Sequence, residues 1–169
     1  MKTRMIFTND KGMSMMELMT VVVIIGVMAA MAVPSFMKEM PQIRTKGAVR
    51  DVVSSLRTAR SMAISTKVPC GVGFDAKDSS YFVFLDKNNP QEAKFSAGDS
   101  VVSSNGLSKD ITVQYQTFPN DAIVFQPDGS ASGSGLVTLT TADHSLTYTV
   151  DVLASTGRVR MVEGYSGGN

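Results

Sequence analysis

Charge placed where the surrounding residues argue against it marks two places in this sequence as candidates for chemistry. Glu17 stands inside an apolar run from Met13 to Val33, MSMMELMTVVVIIGVMAAMAV. A carboxylate deep in hydrocarbon costs about 2.5–3.5 kcal/mol on insertion scales. Either Glu17 sits near the interface, where it is tolerated, or it meets a cation. After Lys11 the chain offers no cation nearby, so that partner would belong to another molecule. The chemistry would be charge neutralisation in a low dielectric, which favours one docking register. The second place is Gly157-Arg158-Val159-Arg160. Residues two apart on a strand share a face, so Arg158 and Arg160 project together, Val159 turns to the core and Gly157 leaves room for a close approach. They are the only Lys or Arg after Lys109, among six Asp or Glu. Two guanidiniums can grip successive phosphates through paired hydrogen bonds. The plainer alternative is ion pairing with Asp151, Glu163 or a neighbouring subunit.

Other reactive residue types do not combine. There is one cysteine, Cys70, and one histidine, His144. No intrachain disulfide and no zinc site of Cys and His ligands can be assembled from them. Cys70 is expected in the core, and His144, in TADHSLT, in a solvated turn. Asp86, Asn88 and Asn89 suggest a calcium loop, but Gln91 stands where the loop's glycine should be and Ala97 where its glutamate should be. No nucleophile-elbow or metal-ligand spacing appears. No cofactor is expected, and the chain is not expected to be an enzyme. With a net charge of +1, no global electrostatic attraction to a polyanion follows.

The elements that must position these residues fall into four stretches. Residues 1–12, MKTRMIFTNDKG, are polar, with Lys2, Arg4 and Lys11 against Asp10. Residues 13–33 supply 21 almost wholly apolar positions, and about 20 suffice to span a bilayer as a helix. Basic residues ahead of the run place the N-terminus in the cytoplasm and the remainder outside the inner membrane. Residues 34–67 continue as the amphipathic outer half of that helix, with apolar or small residues at Ile43, Gly47, Val49, Val52, Val53, Leu56, Ala59, Ala63 and Ile64. Pro34 and Pro41 are expected to bend or locally melt it, and Pro69 to help end it. Its basic residues Arg44, Lys46, Arg50, Arg57, Arg60 and Lys67, against Asp51 alone, read as a solvated face.

From residue 68 to 169 the texture is β-rich. Strands are predicted at 68–74, 80–85, 111–118, 122–125, 136–141, 146–153 and 158–162, with a hairpin joining the first two. Residues 86–110 form a long polar stretch with little pattern. The fold class is α+β, a helix packed on antiparallel sheets. A rival for the N-terminus is a secretory signal cut at Ala30-Met31-Ala32, which would release a secreted binding domain. The apolar run exceeds the 7–15 residues of such a segment, and Glu17 would have no purpose there.

KGMSMMEL resembles the class III leader of type IV pilins and type II secretion pseudopilins. SLRTARSMAISTKVPCGVGF (55–74), FQPDGSASG (125–133) and STGRVR (155–160) resemble, within that group, the H-type pseudopilins and FimT-like minor pilins. The resemblance implies a lollipop shape and cleavage by a prepilin peptidase after Gly12. Met13, where the family usually has Phe, would become the methylated N-terminus and Glu17 the fifth mature residue. Pro34 falls at the twenty-second, where many pilins carry a proline. The resemblance further implies pairing of the new amine with Glu17 of a neighbour, and a scarce subunit near a filament tip. The implied partners are other pilin or pseudopilin subunits, the peptidase, the inner-membrane assembly platform and the lipid bilayer. DNA-uptake members carry a GRxR motif that binds DNA, matched by Gly157, Arg158 and Arg160. Type II secretion and DNA-uptake machines are not separable on these residues.

Overall fold

Ser14 opens the one α-helix among the described residues, because its carbonyl accepts the first helical hydrogen bonds, from the N–H groups of Glu17 and Leu18 at 3.0 and 3.1 Å. A computed structural model describes residues 12–88, 92–108 and 110–164 and divides the chain into two compact units, Met1–Met40 and Pro41–Asn169. Helix α1, Met15–Thr66, is 52 residues long. It stays helical through Pro34 and Pro41, which corrects the expectation of local melting. Each proline forfeits a single donor, and its locked φ is already close to helical. The Thr45 hydroxyl also donates to the Pro41 carbonyl at 2.9 Å.

In the first unit the described residues are almost all helical, and their large apolar side chains, from Met15 to Met37, are exposed. By length and composition this helix can cross a membrane. In the second unit α1 buries Thr45, Val49, Val52, Val53, Leu56, Ala59 and Ala63. Those steps of three and four residues make one stripe. Ile43 and Ile64, expected in it, lie off its edges and are 57% and 39% exposed.

Among the described residues, eight strands form two antiparallel sheets. They are β1 Cys70–Asp75, β2 Ser80–Leu85, β3 Ser100–Gly106, β4 Ile111–Gln116, β5 Ala122–Phe125, β6 Gly135–Thr141, β7 Thr147–Leu153 and β8 Arg158–Glu163. The first sheet runs β3-β2-β1-β5 and the second β4-β6-β7-β8. Strand β3 corrects the patternless reading of 86–110. It is an edge strand, pairs with β2 alone and exposes nearly every residue, so it has no buried face to impose alternation. A bulge at Val83/Phe84 interrupts that pairing.

The stripe of α1 enters a core with Val72, Phe74 and Val83 of the first sheet and Val137, Leu139, Val150 and Val152 of the second. Cys70 belongs to this core, and burial pushes its thiol up to about 11. That is the behaviour of a packed hydrophobe, since the thiolate is the reactive form. His144 occupies the β6–β7 turn at φ 57°, exposed as expected.

A smaller cluster covers the outer face of the first sheet. A Cβ at Gly71 would stand 2.5 Å from the Phe84 ring, and one at Gly73 2.5 Å from the Phe82 ring. Phe95 meets both rings edge-on, at centroid distances of 5.0 and 5.3 Å. Asp99 ties down the segment that brings Phe95 there. Its carboxylate accepts from the N–H groups of Lys87, Asn88 and Ser96 at 3.1, 3.2 and 2.7 Å. Desolvation opposes the ionised carboxylate, but these bonds outweigh it and hold its pKa below the usual range. Of the calcium-loop residues weighed from the sequence, Asp86 is buried, and the Asn88 amide donates to the Ala97 carbonyl at 2.9 Å. Asn89 and Gln91 lie outside the described residues.

Candidate functional site

Three sequence segments far apart in the chain meet at the side chain of Arg60. Its Nε donates to the Gly129 carbonyl at 2.9 Å. Gly129 and Gly157 are buried and adopt positive φ, 87° and 59°. A Cβ on Gly157 would stand 2.3 Å from the Gly129 oxygen and 2.8 Å from Arg60 Nε. Real side chains do not pack that closely, and the left-handed backbone adds its own penalty for any L-residue. The close approach expected of Gly157 is therefore present, and its partner is backbone held by a helix arginine.

Strand β8 follows as the edge of the second sheet. Val159 is 8% exposed and packs inward, whereas Arg158 and Arg160 are exposed, as the period of two requires. The two arginines differ in their surroundings. Arg160 lies opposite Asp151 in the β7–β8 register, and Nη2 approaches Asp151 Oδ2 at 3.7 Å. Arg158 lies opposite Leu153 and has no ion pair among the described residues. It lines instead a groove of about 520 Å³ with Arg57, Arg60, Ile64, Gly157 and Val159. A second groove of about 360 Å³, walled by Arg50, Val53, Arg57 and Met161, shares Arg57 with the first. Helix arginines and Arg158 thus form one cationic surface between α1 and β8, and among the described residues no carboxylate lines either groove. The sequence placed Arg57 and Arg60 on a solvated face. The available clue was that SLRTARSMA, FQPDGSASG and STGRVR carry one resemblance, which is what residues in mutual contact would do.

At the N-terminus the segment 12–14 precedes α1, and among the described residues nothing stands within 4 Å of a Cβ built on Gly12. Met13 is 65% exposed. The Met16 N–H donates to the Ser14 hydroxyl at 3.3 Å, which makes Ser14 the N-cap and Glu17 the third helical residue. Ser14-x-x-Glu17 has the spacing of a capping box, and an acid in the first turn is favoured by the helix dipole. That local role was legible in the sequence beside the intermolecular one. Pro34 lies inside the helix, and residues 1–11 of the leader lie outside the described residues.

Comparison with known proteins places this architecture. A family model described as type II transport protein GspH matches residues 48–156, from the second turn of the buried stripe to the turn before Gly157. Among curated proteins none matches significantly. The minor pseudopilin EpsH from the type 2 secretion system of Vibrio cholerae has a similar fold. It is 11% identical, with a TM-score of 0.58 over 72% of this chain and 99% of that one. The type IV minor pilin FimU of Pseudomonas aeruginosa is 12% identical, with a TM-score of 0.55 over 72% of this chain and 90% of that one. A helix packed on an antiparallel β domain is the fold these proteins share in outline. The chain belongs to the GspH family and is a structural subunit of the minor pseudopilin and minor pilin kind.

Proposed function

We propose that this subunit is assembled at or near the tip of a pilus-like filament, a type II secretion pseudopilus or a type IV pilus. A prepilin peptidase cleaves it after Gly12, and residues 13–33 then hold it in the inner membrane with the β domain on the periplasmic side. Glu17 carries this reading: it is an acid in the first turn of a helix apolar enough for a bilayer, with no ion pair among the described residues. Cleavage frees the amine of Met13, and in a stack of such helices that amine can neutralise the Glu17 of a neighbour. Removing one partner of a pair in low dielectric strands the other, at a cost of about 3–5 kcal/mol.

Glu17→Leu is accordingly expected to mature normally and to enter the sheared filament fraction at about one hundredth of the parental level or less. Intact mass checks maturation, and immunoblotting of the filament fraction checks assembly. Parental assembly by Glu17→Leu refutes the pairing. A mature mass that starts after Ala32 rather than Gly12 refutes the peptidase step in favour of a secretory signal.

The cationic groove favours a second reading, contact with the phosphates of DNA during uptake. Arg158 faces open space beside Arg57 and Arg60, whereas Arg160 is engaged by Asp151. Arg158→Gln in the detergent-solubilised full chain is expected to weaken duplex binding about tenfold at low salt. Arg160→Gln is expected to weaken it several-fold less, and binding should fall steeply as salt rises. Gel shifts at two salt concentrations test this, and an absence of binding by the parent removes the DNA reading.

A further inference from the structure

Arg57 belongs to both grooves between α1 and β8. In the groove it shares with Arg158, Arg60 commits its Nε to the Gly129 carbonyl. The neighbouring groove lies wholly outside the Gly157–Arg160 motif. Arg50, Ser54, Arg57 and Thr58 line it from α1 and are exposed, and the less exposed Val53 and Met161 complete it. Steps of three and four residues set those four polar side chains on one flank of the helix. Two guanidiniums and two hydroxyls are the donor set of an oxyanion site. Arg50 and Arg57 make no ion pair among the described residues. The acids at neighbouring positions are turned elsewhere. Asp51, ~100° around the helix from Arg50, lines a cleft toward β2 and β3, and Glu163 accepts from the Tyr148 hydroxyl at 3.3 Å. Among the described residues no aromatic ring lines either groove, so unpaired bases have no platform on which to stack.

We infer that the Arg50 groove is a second phosphate subsite, and that with the Arg158 groove it holds phosphates along one strand of duplex DNA, Arg57 bridging the two. Arginine recurs with hydroxyls in both grooves, Ser54 and Thr58 in one, Ser61 and Thr156 in the other. Such a repeat suits a polymer whose anions are regularly spaced. From Arg57 to Arg50 is ~10 Å along the helix axis, about the axial rise of three phosphates on one strand of B-DNA. Contacts of this kind read backbone and not sequence. The subsite rests on the reading of the Arg158 groove as a contact with DNA, and extends that contact onto α1. One copy of the chain suffices for it, in keeping with a subunit near a filament tip.

The test measures binding of the detergent-solubilised full chain to two fluorescent duplexes of unrelated sequence across a series of salt concentrations. The parent is expected to bind both alike. Arg57→Gln is expected to weaken binding about tenfold at low salt and Arg50→Gln about threefold. Each should also flatten the plot of log affinity against log salt by about 0.9, the loss of one phosphate contact. Arg57→Lys is expected to keep the parental slope. A side chain that only supported the fold would change affinity without moving that slope. Thermal melts matching the parent's confirm that each variant is folded. Parental affinity and slope in Arg57→Gln and Arg50→Gln, with Arg158→Gln weakened, overturn the subsite and leave the DNA reading standing. No binding by the parent overturns both. Displacement of the duplex by polyglutamate as readily as by unlabelled duplex of equal charge assigns the groove to an acidic protein instead, and also overturns the subsite.

Discussion

Gly157→Ala is expected to lower the melting temperature of the protein by about 10 °C. The left-handed backbone at φ 59° costs an alanine about 1–2 kcal/mol. The new methyl would also stand 2.3 Å from the Gly129 oxygen and 2.8 Å from Arg60 Nε, so the Arg60 hydrogen bond must break or the turn must move. Loss of that bond and of the packing around it adds about 1–2 kcal/mol. A total of about 3 kcal/mol corresponds to roughly 10 °C in a domain of this size. Gly164→Ala is the control. It shares a positive φ of 76°, but among the described residues nothing lies within 4 Å of its added Cβ, so the conformational part is the cost expected there. Thermal circular dichroism of both variants decides the matter, and equal losses would show that the collision is relieved without cost.

Leu56→Ala is expected to destabilise the domain by about 2–5 kcal/mol. Leu56 is wholly buried in the middle of the α1 stripe, among side chains from both sheets. Truncation there leaves a cavity bounded by strands on one side and helix backbone on the other, which limits collapse. Ile43→Ala on the same helix, at a position 57% exposed, is expected to change stability by less than about 0.5 kcal/mol. Urea denaturation of the two variants measures the contrast. Similar values would mean that the stripe is not what fastens the helix to the sheets.

The helix, its end at Thr66 and seven of the strands among the described residues were legible in the sequence because burial leaves its mark there, as a period along the helix and as short apolar runs in strands such as β1 and β5 that are buried on both faces. The limits at Ile43 and Ile64 were not, since periodicity marks the direction of a stripe more sharply than its width. Strand β3 escaped notice for a related reason. SVVSSNG borders solvent along its length, and an edge strand held chiefly by backbone bonds leaves little trace in side-chain pattern. At the site, the two-residue period correctly placed Arg158, Val159 and Arg160, and Asp151 was among the partners expected for the pair. Arg57 and Arg60 joined the groove only through tertiary packing, because a helix and a strand nearly a hundred residues apart have no local rule connecting them. Ser14 and Glu17 show the opposite case, a local rule present in plain view and overshadowed by the membrane argument.

The face of β1 that points away from the core has a consequence for how this domain can change. At positions 71 and 73 that face has no side chains of its own; the space is filled by the rings of Phe84 and Phe82 on the adjoining strand. Neither partner can alter alone. A bulkier residue at 73 demands a smaller one at 82, and loss of the ring at 84 leaves a hollow that a residue at 71 could fill. Divergence along these two strands should therefore proceed through exchanged pairs, 71 with 84 and 73 with 82. Double substitutions at those sites should be milder than the sum of their single components.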